Sequence, residues 1–129
     1  MDRIVTQGRF TSFTDPGRTL AISAWVHMRS AYVTLPNACR ENLGNVEQLG
    51  KVEIEMADQS IRKGSVRGPV RVRTGEFRPT AAEGLFIDMK PDEDGEYEPL
   101  VGYIALEQAS AAVDMQGHRL VHVKRVDLK

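Results

Sequence analysis

Few side chains in this sequence are spaced for chemistry. His118 and His122 stand four apart, a spacing that can hold a metal on a helix. Here it straddles Leu120-Val121-Val123, a β-type apolar run, so both rings are expected on one sheet face without a third ligand. No metal and no cofactor is expected. Cys39 is the sole cysteine and has no histidine beside it, which predicts a buried structural thiol rather than a nucleophile. No phosphate-binding glycine loop, dinucleotide fingerprint, G-x-S-x-G elbow or H-E-x-x-H pair occurs. A basic run extends from Arg62 to Arg78 (Arg62, Lys63, Arg67, Arg71, Arg73 and Arg78). It could track phosphates. No aromatic residue interleaves it, so the stacking half of a single-strand nucleic-acid signature is missing, and solvated strand faces are the expectation. An acidic stretch follows, comprising Glu83, Asp88, Asp92, Glu93, Asp94, Glu96 and Glu98.

The elements that must position these groups read mainly as strands. Arg3 to Phe13 holds Ile4, Phe10 and Phe13 among threonines. Asp15-Pro16-Gly17 is a turn, because proline presets one backbone angle and glycine tolerates the left-handed one. Thr19 to Val26 places Leu20, Ile22, Ala24 and Val26 on one face at period 2. A short helix is expected between Pro36, in its first turn, and Gly44, just past its end. Val52, Ile54 and Met56 alternate with Glu53 and Glu55, then Ser60 to Val66 returns as a hairpin with one solvated face. Val70 to Arg73 and Ala81 to Met89 read as further strands. Lys90 to Pro99 reads as a charged loop, Tyr103 to Ala112 as a second helix, and Leu120 to Val126 as the last strand. About seven or eight short strands and two short helices imply a mainly-β barrel or sandwich.

The chain has 129 residues, which predicts a single domain spanning 1–129 with no room for a two-lobed enzyme. Hydrophobic residues make up 41% and charged residues 27%, the balance of a globular protein with its own core. Seventeen basic against eighteen acidic residues give a net charge of −1, so global charge argues for neither nucleic acid nor membrane. The lone cysteine excludes an intramolecular disulfide framework. Met1-Asp2-Arg3-Ile4 lacks the apolar core of a signal peptide, and no apolar run approaches a membrane span. A cytoplasmic setting is expected.

Three segments, taken in order, resemble the retropepsin-like aspartic proteases of bacteria, single-lobe acid proteases related to those of retroviruses. The first is Ala21 to Gly44, AISAWVHMRSAYVTLPNACRENLG. It is similar to the family's strand, active-site loop, Leu-Pro and short helix ending in Leu-Gly. The second, Val52 to Val72, is similar to the family's flap hairpin, with Ala57, Asp58 and Gln59 at the tip. The third is Glu98 to Leu120, EPLVGYIALEQASAAVDMQGHRL. In it Leu100-Val101-Gly102 resembles the family's apolar-apolar-Gly element. The resemblance covers nearly the whole chain. It implies a closed acid-protease-like β-barrel and a homodimer, since one lobe carries half a site. Strand-like ends at Ile4-Val5 and Leu120 to Val126 would pair across that dimer.

The departure is at the centre. Aligned without a gap, the family's Asp-Thr-Gly falls on His27-Met28-Arg29, followed by Ser30. The family's mechanism needs two carboxylates sharing a proton, one as base toward water and one as acid toward the carbonyl. His27 cannot share a proton in that way, and two charged histidines at an axis would repel. Met28 lacks the threonine hydroxyl, and Arg29 puts bulk where glycine allows close approach. No other aspartate takes the place, since Asp15, Asp58, Asp94 and Asp114 lack the strand before and Thr/Ser-Gly after. The resemblance therefore implies a pseudoprotease that binds a peptide or protein in its cleft. The alternatives are a peptidase with altered chemistry at His27, and a small β-barrel nucleic-acid binder using Arg62 to Arg78.

Overall fold

The computed structural model describes residues 4–27, 30–44, 46–55, 59–91, 93–95, 97, 99–114, 116–117 and 119–122. Nine strands are described: β1 (Val5–Ser12), β2 (Thr19–His27), β3 (Val33–Pro36), β4 (Gln48–Glu55), β5 (Ile61–Thr74), β6 (Thr80–Ile87), β7 (Leu100–Gly102), β8 (Ala111–Asp114) and β9 (Arg119–His122). A 3-10 turn at Asn37–Cys39 leads into helix α1 (Arg40–Leu43), and helix α2 (Tyr103–Gln108) follows β7 directly.

Six strands close a barrel. β1 pairs antiparallel with β2, from Val5 opposite Trp25 to Thr11 opposite Thr19, around the expected Asp15-Pro16-Gly17 turn. On its other side β1 pairs antiparallel with β5, Gly8 to Thr74 through Ser12 to Val70. β5 pairs antiparallel with β6, and β6 runs parallel to β3. β3 touches β7 antiparallel at Thr34 and Leu100, and β7 runs parallel to β2. β4 stands outside the closed ring and, among the described residues, pairs only with the first half of β5. β8 and β9 form a separate two-stranded sheet.

The alternation in the sequence explains how the barrel fills. Phe10, Val33, Leu35, Leu43, Val70, Val72, Phe86, Val101 and Leu106 are all buried and pack as one core. In β5, Val70, Val72 and Thr74 face in while Arg71 and Arg73 face out. The period of two thus carries the basic residues outward as it seats the valines. A second, smaller cluster centres on Val66, Leu85 and Ile87. Tyr32, Val52, Ile54 and Met89 pack against it half-buried, between the β4–β5 hairpin and the barrel wall.

Three elements differ from expectation. The strands read separately at 60–66 and 70–73 are one strand, β5, with a register shift between Arg67 and Val70. The strand continues because its partners change there, from β4 and β6 to β6 and β1. The second helix stops at Gln108 instead of reaching Ala112. Ser110 takes φ +59 and Ala111–Asp114 turns back as β8, so tertiary pairing overrides the helix propensity of the alanines. Pro36 does not open a helix. It ends β3 in extended conformation, before the 3-10 turn, while Gly44 ends α1 at φ +75 as expected. The last strand begins at Arg119, and its expected continuation through Val126 lies outside the described residues beyond His122.

Candidate functional site

His27 is the last residue of β2 and lies in register with Gly102 of β7, its side chain exposed. The parallel β2–β7 pairing brings the two segments together: Trp25 meets Leu100 and Val26 meets Val101. Val101 is fully buried in the core, which anchors β7 from within. Residues 30–32 lie against β7. Ser30 N–H donates to the His27 carbonyl at 3.3 Å, and Tyr103 N–H donates to the Ser30 carbonyl at 2.8 Å. The Ser30 hydroxyl donates to the Tyr32 carbonyl at 3.3 Å. Gly102 has to be glycine. A Cβ there would stand 2.5 Å from the Tyr32 carbonyl oxygen and 2.9 Å from the Ala31 carbonyl carbon. Residues 30–32 are thus laid against β7 by both hydrogen bonds and close approach. Met28 and Arg29, the other two positions matched to the active-site loop, lie outside the described residues.

The β4–β5 hairpin packs over the second apolar cluster. Val52 and Ile54 turn toward the barrel and Glu53 and Glu55 toward solvent. Across the hairpin, Arg62 is in register with Ile54 and Gly64 with Val52, so these four share the inner face. Gly64 lets the hairpin lie flat on β6, since a Cβ would meet Ile87 Cγ2 at 2.6 Å and the Phe86 carbonyl oxygen at 2.9 Å. Tyr32, whose carbonyl receives the Ser30 hydroxyl, belongs to the apolar cluster under this hairpin. Tyr32 therefore links residues 30–32 to the apolar cluster under the hairpin. At its open end a cleft of about 380 Å³ is lined by Ile61, Arg62, Lys63, Asp88, Met89 and Lys90. There Arg62 donates to the Asp88 carbonyl at 2.7 Å, and Asn37 donates to the Asp88 carboxylate at 3.0 Å. Gln59 is exposed with φ +68. Ala57 and Asp58, matched with it to the hairpin tip, lie outside the described residues.

The remaining candidates are dispersed. Asp15 pairs with Arg18 at 3.1 Å. Asp114 receives N–H groups of Gln116 and Gly117 and pairs with Arg119 at 3.3 Å. The Gly117 hydrogen bond, helped by Arg119, holds its carboxyl below the usual range. Cys39 is buried, and that burial pushes its thiol up. His122 packs its ring 5.0 Å from that of Phe77, and His118 lies outside the described residues. No group of three or more His, Cys, Asp or Glu is placed to hold a metal among the described residues. Among them too, no helix is long and apolar enough to cross a membrane.

The basic run scatters over the barrel. Arg62 serves the hairpin mouth, Arg67 lies at the hairpin base, and Arg78 donates to the Gln108 carbonyl. Arg71 and Arg73 stay on the outer face, where β1 brings Arg9 opposite Arg73. The Arg71 guanidinium sits 5.7 Å from the centre of the Phe13 ring, a contact invisible to a linear search for interleaved aromatics. No protein-family model matches this chain, and no curated protein matches it.

Proposed function

We propose that the chain is a retropepsin-like pseudoprotease: a homodimer that binds an extended peptide beneath the β4–β5 hairpin without cleaving it. The observation that carries this reading is the setting of His27. It ends β2 in register with Gly102, and residues 30–32 lie against the same end of β7. A histidine stands where the resemblance puts the carboxylate, and an imidazole cannot take both halves of a shared-proton pair. The hairpin supports the binding half. Its inner face offers half-buried Val52 and Ile54, and in the seven-stranded sheet the outer edge of β4 has no partner among the described residues. Extended peptides bind such edges by main-chain hydrogen bonds, with alternate side chains entering pockets. The test joins two measurements. Light scattering at about 50 μM is expected to give a dimer mass, and a peptide-library pull-down on that dimer is expected to enrich a sequence pattern. A monomer, or a pull-down without enrichment, overturns the reading.

A second reading draws on the outer face of the barrel. Arg9, Arg71 and Arg73 lie there on adjacent strands, with Phe13 beside Arg71. Like charges directly opposite one another cost stability, and an anionic partner offsets that cost. This favours a single-stranded nucleic acid, which combines phosphates with stackable bases. A gel shift with an oligonucleotide at low salt, lost at high salt and in Arg73→Ala, is the expected result. No shift at low salt ends this reading.

A further inference from the structure

A cleft of about 300 Å³ opens between the 3-10 turn, α1 and the base of the β4–β5 hairpin. Asn37, Arg40, Glu41, Gly44, Val46 and Arg67 line it. Arg67 is fixed in this wall by three neutral acceptors. Its Nε donates to Ser65 Oγ at 3.0 Å, its Nη1 to the Val46 carbonyl at 3.2 Å and its Nη2 to Gln48 Oε1 at 3.1 Å. A guanidinium carries five N–H groups, so two remain to donate. Arg40, the first residue of α1, adds a second guanidinium to the same cleft.

The charges there are not balanced in the usual way. Arg18, beside the Gly44 end of the cleft, has its carboxylate partner in Asp15 at 3.1 Å. Neither Arg40 nor Arg67 has a carboxylate within ion-pair distance among the described residues, although Glu41 lines the same cleft. Burial, and after it the positive charge of Arg40, weaken the hold of Arg67 on its proton, as expected for a cation without a counter-ion. Asn37 gives its amide N–H to Asp88, and its Oδ1 is buried without a donor. The wall thus offers two cationic forks. Arginine forks match tetrahedral and planar oxyanions in bidentate geometry. A phosphate-type group supplies oxygens for both.

We propose that this cleft is a binding site for a phosphate-type oxyanion, gripped between Arg40 and the two free N–H groups of Arg67. Its ligand would tie α1 to the base of the hairpin, because Arg67 already holds Val46 and Gln48. The site lies outside the apolar cluster under the hairpin and stands whether or not a peptide binds there.

The test follows the arginine Nε–H resonances by NMR as inorganic phosphate is added to the full chain, against chloride at matched ionic strength. Saturable shifts at Arg40 and Arg67, with a dissociation constant of about 1 mM or tighter, are expected. Arg40→Gln leaves the three bonds of Arg67 intact and is expected to weaken binding about tenfold. Arg67→Lys keeps the charge but loses the fork, and is expected to weaken binding while the other amide resonances show a folded chain. Phenyl phosphate run in parallel identifies the source: equal affinity assigns a phosphomonoester, and much weaker affinity assigns the free ion. Shifts that rise linearly and match those from chloride, or an unchanged titration in Arg40→Gln, overturn the proposal.

Discussion

Gly102 and Ser30 touch main chain to main chain: the carbonyl of Ser30 occupies the space where a side chain on Gly102 would begin. The next residue, Tyr103, donates its N–H to that same carbonyl. Gly102→Ala therefore has to push residues 30–32 off β7 and break this bond. We expect a loss of about 3 kcal/mol, read as a lower urea midpoint at constant slope. A loss below about 0.5 kcal/mol would show that the loop can move away freely.

Gly64→Ala addresses the hairpin. The added methyl would meet Ile87 Cγ2 and the Phe86 carbonyl oxygen, so the hairpin must lift from β6. The expected cost is about 1–3 kcal/mol. Faster amide exchange at Val52 and Ile54, with Phe10 and Val72 still protected, is the signature of a local effect. Uniformly faster exchange would contradict it.

His27→Ala is expected to leave both stability and peptidase rate unchanged. The side chain is exposed at a strand end, where truncation costs within about 0.5 kcal/mol. Assays from about pH 3 to 8 should return equal background rates for wild type and variant. A rate that rises above background in the wild type and vanishes in His27→Ala would restore a catalytic role.

Asp114 gives a pH dependence with a definite sign. Its folded carboxyl is held low by Gly117 and Arg119, so it contributes stability above its unfolded value of about 3.9. That contribution disappears as the pH falls through the lower folded value. Asp114→Asn is expected to lower stability at neutral pH, to flatten the acid side of the profile, and to converge with the wild type at the acid end. Identical acid limbs in both proteins would remove Asp114 from the account.

Cys39 has the opposite sense. Burial raises its thiol, so the folded chain disfavours the thiolate and loses stability as the pH climbs past the unfolded value of about 8.5. A thiol reagent at pH 8 should react slowly with the native chain and fast in denaturant. Equal rates in the two conditions would refute the burial.

Where local pattern and environment agree, the sequence is legible. Val52-Glu53-Ile54-Glu55 reads as a strand with one wet face because the hairpin has one wet face. Phe10, Val70 and Val72 announce the core by the same period. The end of α2 was hidden because Ala109-Ser110-Ala111-Ala112 suits a helix locally, and only pairing with β9 decides otherwise. His27 and Leu100-Val101-Gly102 were each visible as candidates. That they sit side by side follows from a parallel pairing between distant segments, which no local signal encodes. The fate of the basic run was hidden for a related reason. Successive strand residues face opposite ways, and Arg9 and Phe13 join Arg71 and Arg73 only through the β1–β5 register.

The short strand β7 has a consequence for synthesis. It is the stave that joins β2 to β3, and at three residues it is the narrowest in the barrel. A chain growing from its N-terminus makes β1 through β6 first, with the flanks of β2 and β3 bare until Gly102 has emerged. Exposed strand flanks recruit other chains. Partners so distant in sequence are also slow to meet. Until β7 is made, the barrel of this topology stays open between β2 and β3.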